Sequence, residues 1–151
     1  MLVQLIYVSV PVIDVASATS QFIINAQHNN KLENISGMLI SNKNFYVQMI
    51  EGDRTAINTL FQKICQDPRH TKPTIVRYCE VRAREFEDWS MLHVSFAELQ
   101  SHFVTAIIPY DKITPELLSG ISALSLIRRL AAIVRVSGEM PLLDGPFVFH
   151  D

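Results

Sequence analysis

The stretch NFYVQMIEG, residues 44–52, constrains the fold more than any other part of the chain. In an extended strand, successive side chains point to opposite faces. Tyr46, Gln48 and Ile50 therefore share one face, and Phe45, Val47 and Met49 share the other. Both faces are apolar, so the strand must be covered on both sides. One layer of helices cannot do that. Gln48 sits in the middle of this strand, and its amide needs hydrogen-bond partners in any dry environment.

The surrounding pattern supplies the layers. Residues 2–9, LVQLIYVS, have the β-branched and aromatic content of a buried strand. Residues 14–28 carry Val15, Ala18, Phe22, Ile23 and Ala26 at helical spacing, with an expected stop near His28–Lys31. Residues 35–50 read as two strands joined by a turn at Ser41–Asn44. Asp53 is a helix cap before the stripe Ile57, Leu60, Phe61 and Ile64. A loop over 67–73, a strand over 74–83 and a fifth strand over 89–96 follow.

The order β-α-β-β-α-β-β predicts an α+β, ferredoxin-like sheet with two helices on one face. In that layout the first and third strands are antiparallel neighbours, which can bring Tyr7 beside Gln48. Residues 114–136 place Leu117, Ile121, Leu124, Ile127 (or Arg128), Leu130, Ala131 and Val134 at helical spacing. Pro115 suits a first turn, and Gly120 is expected to split the segment. These C-terminal helices are expected to cover the second face. The division is a domain over 1–97 and a packed helical extension over 98–151.

Composition narrows the function. The chain has 151 residues, enough for one sizeable core, and a formal net charge of -2. That charge gives no footprint for direct nucleic-acid binding. Cys65 and Cys79 make no framework or CxxC pair and read as reduced thiols of a cytoplasmic protein. The apolar start MLVQLIYVSV is too short to cross a membrane and lacks a basic leader. Histidines 28, 70, 93, 102 and 150 are scattered without ligand spacing, so no metal site is expected. GxGxxG, P-loop and GxSxG patterns are absent.

A few polar or aromatic features remain. Tyr7 lies mid-strand among aliphatics, where a core tyrosine with its hydroxyl at the rim is the ordinary reading. Gln48 can be a satisfied core amide. HNN (28–30) is by default a helix end, PRH (68–70) a polar loop, and Trp89 and Met91 core residues. Each reading stands alone; their coincidence in one small fold calls for a common cause.

Together these residues resemble the BLUF family, small blue-light receptors that bind flavin. The matching pieces run in order: LIYVS, NN followed by ISGMLI, FYVQMIEG, QDPRH and FEDWSM, covering about residues 2–97. The resemblance implies that Tyr7 is the photoactive tyrosine and Gln48 the switching amide. It implies that Asn30 hydrogen-bonds the flavin ring, with Asn29 on its flank, and that Arg69 and His70 lie near the ribityl and phosphate part. Lys63 stands where many relatives carry arginine; it offers a point charge without the bidentate fork. Trp89 and Met91 would belong to a fifth strand that relays the signal. The implied cofactor is FAD, with FMN or riboflavin as alternatives. The implied output is a light-dependent change in a protein partner, by analogy a transcription regulator, or in homo-oligomerisation. No output enzyme is expected. A flavin redox enzyme and a light-insensitive interaction module are the competing readings.

Overall fold

The structure is a computed structural model that describes residues 1–12, 15–96, 106–137 and 147–150. Its strands are β1 (Leu2–Pro11), β2 (Ser36–Ser41), β3 (Tyr46–Asp53), β4 (His70–Glu80), β5 (Leu92–Phe96) and β6 (Phe147–His150). Its helices are α1 (Val15–Leu32), α2 (Arg54–Cys65) and α3 (Gly120–Ser137). The sheet order is β4-β1-β3-β2-β5-β6. β1 runs antiparallel to β3 and β4, β2 antiparallel to β3, and β5 parallel to β2. This is the expected ferredoxin-like α+β arrangement, extended by β5 and by β6, which the sequence pattern did not signal.

Local chemistry explains the element ends. Asp53 accepts from the Thr55 amide at 3.1 Å and caps α2. α1 runs past the expected stop because its left-handed terminator is Asn34, at φ 54°, not an asparagine of HNN. The Ile35 amide bonds the Asn30 carbonyl and the Asn34 amide the Lys31 carbonyl, which is a Schellman closure. Ser119 caps α3 through the Ser122 amide at 3.0 Å, so Gly120 opens the helix instead of splitting it. A side chain there would come within 2.3 Å of the Val76 carbonyl oxygen, so α3 rests directly on the β4 backbone.

The predicted face division of β3 holds. Phe45, Val47 and Met49 pack with Ile6, Met38, Val94 and the α3 residues Leu126, Ile127 and Leu130. Tyr46 and Ile50 pack with Leu5, Tyr7, Leu39 and the α2 residues Ile57 and Ile64. Leu117 and Ile121, expected in the buried stripe, are 55% and 85% exposed. Starting α3 at Gly120 sets the buried phase through Ala123, Leu126, Leu130 and Val134 instead.

The connection from β4 to β5 positions the site. It must pass β1, β3 and β2 to reach its place in the sheet. It is pinned on the way: the Val81 amide to the Leu2 carbonyl at 3.0 Å, the Glu85 and Phe86 amides to the Glu51 carboxylate, and the Gly37 amide to the Trp89 carbonyl at 3.1 Å.

Candidate functional site

β1 and β3 place Tyr7 directly opposite Gln48 in register. Both are buried. The Tyr7 hydroxyl donates to Gln48 Oε1. Gln48 Nε2 donates to Met91 Sδ at 3.3 Å. The amide is thus held at both ends, one end by a phenol and the other by a thioether, which is a weak acceptor.

Burial pushes the Tyr7 hydroxyl well above its ordinary value of 10.0, and the nearby Asp67 carboxylate adds to this. The phenol is therefore neutral and carries its proton across the physiological range. Phe61 tilts against its ring at a centroid distance of 5.6 Å, and His70 meets it edge-on at 6.2 Å. These contacts fix the ring, and so the direction of the hydroxyl.

Gln48 lines a cleft of about 180 Å³ between α1 and α2. Ala26, Leu60 and Ile64 supply apolar walls; Asn29, Asn30, Lys63 and Arg69 supply polar ones. Asn29, Asn30, Leu60 and Lys63 also border a wider depression of about 490 Å³ that reaches Thr55 at the start of α2. The sequence-predicted residues Asn29, Asn30, Gln48, Lys63 and Arg69 therefore converge on one cleft.

Asn30 is buried, and its Nδ2 donates to the Ser90 carbonyl at 2.9 Å. One turn earlier Gln27 Nε2 donates to the Met91 carbonyl at 3.1 Å. Two amides on one face of α1 thus hold the stretch that carries Met91. Gln27 has a sequence signal, its i, i+3 spacing from Asn30, but its role depends on where residue 91 falls in space.

Two expectations need correction. His70 is not among the residues lining the cleft. It is buried under Tyr7, with Nδ1 2.7 Å from Ser9 Oγ and Nε2 2.6 Å from the Ile64 carbonyl oxygen. The reason is that β4 begins at His70, which turns its ring into the sheet. Arg69 does reach the cleft, but Asp67 takes its Nε at 2.9 and 3.1 Å. The guanidinium accordingly holds the Asp67 carboxyl below its ordinary 3.8. Trp89 and Met91 precede β5, which begins at Leu92. They part to opposite faces: Met91 to Gln48, and Trp89 to the α3 side, where Arg135 lies 4.9 Å over its ring.

Comparison with known proteins agrees with this geometry. Residues 2–92 match the model of the BLUF family, described as sensors of blue-light using FAD. The dark-state structure of BlrB, a BLUF protein, is 34% identical with a TM-score of 0.71, covering 87% of this chain and 96% of that one. The photo-activated state of BlsA superposes with a TM-score of 0.75 at 24% identity, over 86% of this chain and 94% of that one, a likeness of fold. The photoactivated adenylate cyclase subunit beta of Euglena gracilis is 33% identical over 67 residues, 44% of this chain and 8% of that protein. The chain spans only 7% to 10% of the length of the curated relatives it matches. A buried tyrosine–glutamine pair beside a cleft, in a chain matched by that family model over most of its sheet, makes this protein a member of the BLUF family of blue-light sensors.

Proposed function

We propose that Tyr7 and Gln48 are the photoactive pair, and that the cleft between α1 and α2 holds the flavin. One observation carries this reading: the Gln48 amide is shared between the Tyr7 hydroxyl and Met91 Sδ while its side chain lines the cleft. A thioether satisfies an amide N–H poorly, so the amide has donor capacity for a better acceptor in the cleft.

The residues present fit a flavin. Leu60 and Ile64 offer an apolar wall to a flat ring; Asn29 and Asn30 offer amides to its polar edge; Lys63 offers a charge to a phosphate tail. Bound there, an oxidised flavin supplies a blue-light-absorbing oxidant with hydrogen-bond acceptors along one edge. FAD is the proposed flavin; FMN and riboflavin share the ring these residues would bind.

The chain's own residues set the response. Burial keeps the Tyr7 proton in place, so the phenol would lend an electron and a proton together to an excited ring in the cleft and recover both as the red-shifted state forms. That proton already lies on the path to Gln48 Oε1. The Gln48 amide then changes the end it presents to the cleft, by rotation or as its imidic tautomer, and Met91 Sδ loses or changes its donor. One hydrogen bond is worth about 0.5–1.5 kcal/mol net. That suffices to bias a two-state element but not to refold a sheet.

The readout follows the crossover that leads into Met91. Trp89 and Phe86 stack against Arg135 of α3, and Glu85 bonds Arg128 at 2.6 and 3.0 Å. We therefore assign residues 1–97 to sensing and 98–151 to an extension that passes the change to a surface. The proposed output is a light-dependent protein contact, with a transcription regulator as the partner class, or a change in self-association. Among the described residues no helix is long and apolar enough to cross a membrane, and the cytoplasm is the proposed location.

The test is a visible spectrum of the purified protein before, during and after blue light. The expected result is bound oxidised flavin and a small red shift that decays in the dark. A protein that takes up no flavin overturns the proposal. Bleaching without a red shift assigns the cleft to ordinary flavin reduction instead.

A further inference from the structure

Glu51 is a fully buried carboxylate that the light reaction as described does not use. It lies three residues beyond Gln48 on β3 and faces the α3 side of the sheet. Every neighbour of like parity, Phe45, Val47 and Met49, is apolar. A carboxylate in such a place is tolerated only when its lone pairs are occupied. Here four donors occupy them. Oε1 accepts from Ser36 Oγ at 3.1 Å and the Phe86 amide at 2.7 Å. Oε2 accepts from Gln4 Nε2 at 3.0 Å and the Glu85 amide at 3.1 Å.

Two guanidiniums stand one step behind. Arg77 donates to Gln4 Oε1 at 2.8 Å, and Arg84 to Ser36 Oγ at 2.8 Å and the Glu51 carbonyl at 3.1 Å. The cluster grips the middle of the β4–β5 crossover. From that grip the chain leads one way and branches. Glu85 meets Arg128 and Arg135 of α3 through its side chain and its carbonyl, and Phe86 packs against Trp89. Five residues past Phe86 stands Met91, on Gln48 Nε2.

We infer that Glu51 is a positioning residue for the light response. By holding the Glu85 and Phe86 amides it fixes the crossover, and with it the seat of Met91 against Gln48 and the purchase of α3 on the same segment. This rests on the reading of Tyr7 and Gln48 as the photoactive pair.

Glu51→Gln tests it in the flavin-loaded full chain. Glutamine keeps the size but turns one acceptor oxygen into a donor facing donors. The dark-state flavin spectrum should be unchanged. Amide hydrogen exchange at Glu85 and Phe86 should rise about tenfold. Dark recovery of the red-shifted state should change by roughly threefold or more, since that rate depends on the seat of Met91. Met91→Leu is close to volume-conserving and removes the sulfur. In that background the Glu51→Gln effect on recovery should shrink below about 1.5-fold, the signature of action through Met91.

A lower melting temperature with unchanged recovery, or an equal effect in both backgrounds, reduces Glu51 to a structural role and overturns the inference. If Glu51→Gln does not fold, Ser36→Ala removes one donor of the four. It should shift recovery in the same Met91-dependent way by about 1.5-fold, and wild-type recovery in Ser36→Ala overturns the inference. A wild-type protein with no red-shifted state overturns the photoactive pair and this inference with it. A normal wild-type photocycle beside an unaltered Glu51→Gln overturns this inference alone.

Discussion

The two faces of the sheet are built from alternate residues of the same strands, yet they have opposite characters. On the α3 face, Ile6, Val47, Met49, Leu126 and Leu130 interlock into a filled apolar layer, and its buried polar groups gather in one closed cluster around Glu51. On the other face, α1 and α2 leave a cleft over Gln48, lined by Asn29, Asn30, Lys63 and Arg69, while Ser9 and His70 pair with each other away from it. The difference teaches where this small domain keeps rigidity and where it keeps room. The filled face is close-packed and resists deformation.

The comparison breaks most completely at Tyr7. Tyr7→Phe removes the phenol proton and the bond to Gln48 Oε1 while leaving the apolar ring contacts with Phe61. The expected outcome is retained flavin and complete loss of the red-shifted state, read by difference absorption under blue light. A normal photocycle in Tyr7→Phe rules out the proposed mechanism.

The filled face should respond in stability rather than colour. Leu130 is fully buried between α3 and the sheet. Leu130→Ala should lower unfolding free energy by about 2–5 kcal/mol in urea titration. Its dark flavin spectrum should stay that of the wild type. A shifted dark spectrum would mean that the two faces are coupled even at rest.

The smallest expected effect lies at the rim between α3 and the crossover. Hydrogen bonds from Arg128, chiefly, hold the Glu85 carboxyl below its ordinary 4.5. A depressed carboxylate contributes stability above its unfolded value, and that contribution is lost as pH falls through the lower folded value. Both groups are about one-third exposed or more, so screening leaves about 1 kcal/mol or less. Arg128→Ala should therefore destabilise slightly at pH 7 and converge with the wild type as pH drops below 4.5. Paired thermal melts across that range check it; a constant gap would place the contribution in packing of the arginine stem.

Much of the site was legible because strand parity is a strict code. The alternation of Phe45 to Ile50 told which side chains share a face, and the split β-α-β order made β1 and β3 neighbours. Those two facts allow Tyr7 and Gln48 to sit side by side; the role of the pair came from the resemblance to the BLUF family. His70 and Trp89 were harder. A histidine in a polar loop and a histidine opening a strand have the same neighbours in sequence, and only the start of β4 turned this ring inward. The WSM triplet does not reveal that the chain rounds the sheet end there, sending Trp89 to Arg135 and Met91 to Gln48.

The sequence by itself determined the layers and the division of β3 between two faces, because hydrophobic period and strand alternation are local. Only the tertiary structure decided which partner each polar group took. Asn30 to Ser90, Gln27 to Met91 and Glu51 to the Glu85 and Phe86 amides join residues up to 64 positions apart. Such bonds depend on the path of the crossover past three strands, and no local pattern encodes that path.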